Sequence, residues 1–243
     1  MITFFRHTHH LMLNNKKRHG VIAGISLIIM AIVAGFSFGY AHNNLVMDSP
    51  EITLQNLQAN KSLFYAELSG WSIIFMTDLI VAISLYFFFR NTSKQISTIT
   101  SLIRITYTLI LGIAIIQLFK ILPVLSLDTP VLEQHAVSET TVHIQLFEKI
   151  WSIGLILFGL HLIGLGYLSV KSKSVPKLLG YLLYFGGLGY AFLHSSRQLS
   201  LFDLKVLNLG ENILATPMAL AEILMALWLV YKGLQKSPSE IKS

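Results

Sequence analysis

The sequence predicts an all-α fold: a polytopic membrane protein, built as a six-transmembrane-helix bundle with both termini cytoplasmic. Three observations lead there. Of 243 residues, 53% are hydrophobic and only 12% charged, with a mean hydropathy of +0.64; soluble domains carry about 25% charged residues. Six apolar stretches recur, each near the ~20 residues that a helix needs to cross a hydrocarbon core. Lysine and arginine are distributed unevenly among the segments between them.

The stretches run over residues 21–40, 68–89, 103–122, 150–170, 178–193 and 213–231. The first exceeds the ~7–15 apolar residues of a signal peptide, so it reads as an uncleaved anchor despite the loose site Gly39-Tyr40-Ala41. The fifth is short and glycine-rich, holding Gly180, Gly186, Gly187 and Gly189, and its glycines suggest close helix packing. In the sixth, Thr216-Pro217 is either a helix start with Pro at its first position or a kink. The division that results is a basic tail over 1–19, a transmembrane domain over 20–233 and a second tail over 234–243.

Orientation follows from the loops. With the N-terminus inside, the inner segments hold Arg6, Lys16, Lys17, Arg18, Arg90, Lys94, Arg104, Lys171, Lys173, Lys177, Lys232, Lys236 and Lys242. Only Lys61, Lys120, Lys149, Arg197 and Lys205 fall outside, while nearly all loop acids do, Glu240 being the inner exception. Short loops rich in Lys and Arg stay cytoplasmic. Removing any one span would break this alternation, which is the argument for counting the weak fifth. Lys171, Lys173 and Lys177 then form a tight inner turn against anionic headgroups, with Pro176 at a helix boundary. The pI near 9.5 reports topology rather than nucleic-acid binding, because no soluble basic domain is left to do it.

Outside, Ser49-Pro50-Glu51 reads as a helix start, with Ser as cap and Pro at the first position. The short helix that follows would turn Leu54 and Leu57 to the membrane. Residues 123–147 read as a polar loop, although Glu139 and His143 stand at the four-residue spacing of one helix face. The cluster His7, His9 and His10 reads as part of a tail. Arg104 is placed at the inner surface, snorkelling to headgroups. Trp71, Trp151 and Trp228 are placed in the interfacial belts.

Several of these segments resemble a known family. "RHGVIAGISLIIM", "LSGWSIIFMTDLIVAISLY", "FGLHLIGLGYLSVKSKSVPKLLGYLL", "GGLGYAF" and "AEILMALWLVYKG" are similar to a bacterial integral-membrane family catalogued as domain of unknown function 4386. The most specific part is a histidine, a Gly-Tyr-Leu, then a proline and Leu-Gly. The resemblance covers residues from about Arg18 to Gly233. It implies a multi-pass protein of the bacterial plasma membrane, and it brings no activity from which catalytic residues can be carried over.

The informative residues are ionisable groups far from helix ends. Asp78 lies twelve residues before Arg90, His161 ten before Lys171 and Glu222 ten before Lys232. At ~1.5 Å per residue these offsets are roughly 15–18 Å, about half the thickness of the hydrocarbon core. All three are therefore expected at the midplane. Their contexts, "DLIVAISLY", "HLIGLGYLS" and "EILMALWLV", also align, each with a leucine seven positions on.

Isolated charges there are costly, at about 2.5–3.5 kcal/mol each on insertion scales. Asp78, His161 and Glu222 are therefore expected to meet in an interior cluster, with Tyr107 and Gln117 as possible neighbours. Ala215, Ala219 and Ala226 beside Glu222, and Gly154 and Gly164 beside His161, would let helices approach.

The preferred reading of that cluster is a structural polar network. The alternative is a small-solute or proton-coupled transporter, since intramembrane acids and histidines mark such pathways. An intramembrane metal-dependent enzyme comes third: HExxH is absent, and so is cysteine. No cofactor is called for, and the expected partners are membrane lipids.

Overall fold

The computed structural model describes residues 2–126 and 130–235; side chains of 2–14, 126, 130–133, 204, 215 and 216 lie outside that description. His7, His9, His10 and Glu133 are among those side chains, and Lys236, Glu240 and Lys242 lie outside the described residues altogether.

The described residues are helical throughout, with short connections. Helix α1 spans Ile2–Ala34 and passes into a π-helical segment, Gly35–His42, then the single turn α2, Asn43–Leu45. After α3 (Pro50–Ala59) come α4 (Lys61–Phe89), α5 (Lys94–Phe119), α6 (Pro130–Lys171), α7 (Lys177–Gln198) and α8 (Leu204–Leu234). Ser49 caps α3 as the sequence indicates, its Oγ accepting from Ile52 N–H at 3.4 Å with Pro50 in the first turn. Pro176 is the N-cap residue of α7, and Pro217 lies inside α8 rather than at its start.

Among the described residues five stretches are long and apolar enough to cross a membrane: Asn15–Leu45, Lys61–Phe89, Lys94–Phe119, Gln134–Lys171 and Lys205–Leu234. Helix α7 is not among them. Its 22 residues would reach ~33 Å, but its glycines, serines, His194 and Arg197 dilute its hydropathy.

The six long helices pack in chain order, α1 on α4, α4 on α5, α5 on α6, α6 on α7 and α7 on α8, and α8 closes the ring against α1. Turns over residues 90–93, 172–176 and 199–203 make the helices that they join antiparallel. Large apolar side chains point outward all round, for example Ile32, Ile113, Leu188 and Ile213, each more than half exposed. That is the pattern of a lipid-facing surface.

Basic residues gather at one end of the ring. Lys16 Nζ reaches Ser174 Oγ in the α6–α7 turn at 2.8 Å, and Lys17 Nζ reaches the Gln235 carbonyl at 2.7 Å. Lys171, Lys173 and Lys177 are exposed at this end.

Helices α6 and α7 meet along a seam with a seven-residue step. A Cβ on Gly159 would stand 2.6 Å from the Gly187 carbonyl oxygen, and one on Gly166 2.8 Å from that of Gly180. One step further, Ser152 Oγ and His194 Nδ1 are hydrogen-bonded at 3.0 Å. Gly187 is thus a packing glycine, as its run suggests.

Two expectations are corrected here. Residues 130–147 are not a polar loop but the first turns of α6, which runs 42 residues and stands ~63 Å long. Leu54 and Leu57 turn to the protein, at 2% and 1% exposure, because α3 lies against α6 and α4 and fills its apolar stripe there.

Candidate functional site

Helix α5 begins nine residues before the apolar stretch read from sequence. Its first turns are rich in hydroxyls, yet those hydroxyls are spent on backbone: Ser97 Oγ donates to the Tyr86 carbonyl at 3.0 Å and Ser101 Oγ to that of Ala82 at 2.8 Å. Both acceptors belong to α4, so the two helices are stitched together. The extension carries Arg104 one helical length inward, about 15 Å from the start of α5.

Arg104 is therefore not a snorkelling surface residue; it is fully buried. Its Nε donates to Asp78 Oδ1 of α4 at 2.9 Å, and its Nη2 makes a second, short bond to the same oxygen. Its Nη1 donates to His161 Nε2 of α6 at 3.1 Å. His161 Nδ1 donates in turn to the Thr100 carbonyl, one turn before Arg104, at 2.9 Å. Met30 Sδ of α1 lies 3.6 Å from Nη2, and the Phe158 ring faces the guanidinium at 5.3 Å.

Gly154 and Gly164 make this approach possible. A Cβ on Gly154 would meet Tyr107 at 3.2 Å, and Thr100 fills the space beside Gly164. Glu222 of α8 stands within electrostatic reach of both Arg104 and Asp78. Tyr107 is buried, its ring 4.9 Å from Phe158. The leucines seven positions after Asp78, His161 and Glu222, namely Leu85, Leu168 and Leu229, are all buried.

Not every expected neighbour is present. Gln117 lies near the opposite end of α5, where it contacts His143 Nδ1 at 3.1 Å. Thirteen residues separate it from Arg104, or ~20 Å of helix, so it has no part in the cluster. His143 pairs there and not with Glu139, which instead approaches His135 at 3.5 Å. Ala219 is exposed, and the close approach on α8 occurs at Ala226, whose carbonyl oxygen a Cβ on Gly24 would meet at 2.7 Å.

A second polar site has no counterpart in the sequence reading. The π-helical segment delivers His42 into the bundle, where Nδ1 meets Glu67 Oε1 at 2.7 Å and Nε2 meets Glu148 Oε1 at 3.4 Å. Trp71 Nε1 donates to the same Glu67 oxygen at 3.3 Å. Phe38, Trp71, Phe147 and Trp151 pack edge to face around this pair, with centroids 4.8–5.1 Å apart at the closest contacts. Trp71 is thus a buried interior residue and not a belt residue; Trp151 and Trp228 are half-buried, Trp228 against Phe88.

Neither site has the make-up of a metal centre. Among the described residues no group of three His, Cys, Asp or Glu side chains is placed to hold an ion. At His42 both ring nitrogens are already taken by carboxylates.

A family model described as a domain of unknown function, DUF4386, matches residues 22–233. The chain belongs to the DUF4386 family. The match covers all five apolar spans almost completely, together with α7, so the Asp78–Arg104–His161 cluster and the His42 site both lie inside the DUF4386 region. An uncharacterized protein of Archaeoglobus fulgidus is similar, 34% identical over 164 residues that make up 68% of this chain and 82% of that protein. No solved structure matches the chain.

Proposed function

We propose that this DUF4386 protein is a multi-pass protein of the plasma membrane, with six spans and both termini cytoplasmic, whose interior ion pair is a structural hub. On this reading residues 20–233 form the membrane domain, α7 is its fifth span, and Asp78, His161 and Glu222 lie near the midplane. The observation that supports the reading is the fully buried Arg104 bonded at once to α4 and α6. A guanidinium so placed selects one register for three helices, because sliding any of them by a turn would strand a charge in an apolar interior.

The test is a stability measurement joined to a flux measurement. Arg104→Gln and Asp78→Asn should each lower the thermal midpoint of the detergent-purified chain, and proteoliposomes of the parent should show no solute or proton movement beyond that of empty vesicles. Flux in the parent that disappears in a well-folded variant would sink the structural reading.

One observation favours transport as the second reading. Asp78 Oδ2 and Glu222 Oε2 are buried with no hydrogen-bond partner among the described residues. An unpartnered carboxylate oxygen is where a transported proton or cation would bind. Glu222→Gln separates the two: it should leave stability within about 1 kcal/mol if the acid is already protonated and structural, and it should abolish pH-dependent flux if it is a carrier.

A further inference from the structure

The basic end of the bundle contains a pocket that the interior network does not explain. It has a volume of about 210 Å³ and is lined by Asn15, Lys16 and His19 of α1 and by Phe87, Arg90 and Asn91 at the end of α4. A water occupies about 30 Å³, so the space admits a group much larger than a single solvent molecule. No acidic residue lines it, and neither Lys16 nor Arg90 makes an ion pair among the described residues.

The aromatic floor orients the cations. Arg90 lies over the Phe87 ring at 4.8 Å, His19 stacks on its ring at 4.7 Å, and Lys16 lies over Phe88 at 4.8 Å. Lys16 spends one donor on Ser174 Oγ and keeps two. A guanidinium offers a planar fork suited to two oxygens of one phosphate, an ammonium adds a point charge, and the Asn15 and Asn91 amides supply neutral donors. Four residues before Phe87, on the same face of α4, Ile83 is 52% exposed, so an apolar track leads from the pocket along the outside of the bundle.

We propose that this pocket binds a phosphate group borne by an anionic ligand, with the phosphodiester headgroup of a membrane lipid as its source and the acyl chain laid along Ile83. The proposal rests on reading the chain as membrane-spanning only for that choice of source; the phosphate chemistry stands on the pocket itself.

The full chain is reconstituted in nanodiscs of mixed phosphatidylglycerol and phosphatidylcholine, and the lipids retained are counted by native mass spectrometry. The parent should retain phosphatidylglycerol selectively. Lys16→Gln with Arg90→Gln should weaken that retention by about 30-fold, the scale expected for two basic side chains. Lys173→Gln with Lys177→Gln, which removes equal charge from the exposed turn, should change it by less than about threefold. Equal losses in both pairs, or none in the first, would overturn the proposal.

If the first pair fails to fold, Asn91→Glu keeps both cations and introduces a carboxylate; retention at the parental level in that variant overturns the site as well. Inorganic phosphate titrated into the detergent-purified chain identifies the source. Displacement of the lipid at millimolar phosphate assigns the site to free phosphate, and no displacement assigns it to the lipid headgroup. Extraction of the chain from membranes by alkaline carbonate would defeat the spanning reading without touching this result.

Discussion

Arg104 donates to His161 Nε2 at 3.1 Å, and that single bond dictates the state of the ring. A guanidinium has no acceptor, so Nε2 must accept; the Thr100 carbonyl has no donor, so Nδ1 must carry the proton. His161 is therefore a neutral Nδ1–H tautomer wedged between a cation and a carbonyl. In an 15N spectrum of histidine-labelled protein, one ring should show a protonated Nδ1 and a bare Nε2, and His161→Gln should erase that signal. The same ring found protonated at both nitrogens would contradict the geometry.

The pair Arg104–Asp78 should behave non-additively. Arg104→Met alone leaves Asp78 buried without its cation and should destabilise by about 3–5 kcal/mol. Arg104→Met with Asp78→Leu removes both charges and should recover most of that loss, since apolar replacement of a buried pair is often neutral. Thermal midpoints of the two singles and the double in one detergent decide it. A double variant as unstable as the sum of the singles would mean the two residues do not act as a pair.

The inner faces of these helices were only partly legible in the sequence, and the reasons are local. Distance from the basic anchors puts Asp78 and His161 at one level, and both bond to Arg104. It misplaced Arg104 because a hydropathy window counts Ser97, Thr100 and Ser101 as polar, whereas Ser97 and Ser101 have already given their protons to carbonyls of α4. The His42–Glu67 pair was missed for a related reason. Both residues fall just beyond apolar runs and look like loop, and nothing in the composition of "GFSFGYAH" announces a π-helical segment. A signal for it did exist: an acid four residues before Trp71, on the face that a helix would share with it.

Glycine replacements should separate by geometry. Gly159→Ala and Gly187→Ala place a Cβ 2.6 Å from a backbone oxygen of the facing helix, and each should destabilise by about 1–3 kcal/mol through forced separation of α6 and α7. Gly186→Ala meets its nearest atom at 3.5 Å, an ordinary contact, and should be tolerated. Gly35→Ala and Gly39→Ala meet nothing within 4 Å and should also leave the midpoint unchanged or slightly raised. A flat response across the five variants would show that α6 and α7 do not touch along this seam.

The two carboxylates at His42 should not be equivalent. Glu67 is 1% exposed and holds both His42 and Trp71, whereas the Glu148 side chain is half-exposed and stands 3.4 Å away. Glu67→Gln should destabilise by about 2 kcal/mol or more, with a change in tryptophan emission as Trp71 loses its acceptor. Glu148→Gln should stay within about 1 kcal/mol and leave the emission unaltered. Equal effects from both would place the histidine's charge partner wrongly.

Orientation can be read directly, because the chain has no cysteine of its own. Single cysteines at Asn91 and Ser174 sit in turns of the basic end, and those at Asn56 and Ser200 sit on α3 and in the α7–α8 turn. With an impermeant maleimide added to intact cells, positions 56 and 200 should label, and 91 and 174 should label only after lysis. Position 200 is the discriminating one. If it behaves like 174, α7 does not cross, the basic turn and the α7–α8 turn share one side, and the count of spans falls to five. If it behaves like 56, the 22 residues of α7 span despite their low hydropathy, and the close seam that Gly159, Gly166, Gly180 and Gly187 make with α6 is what lets them do so.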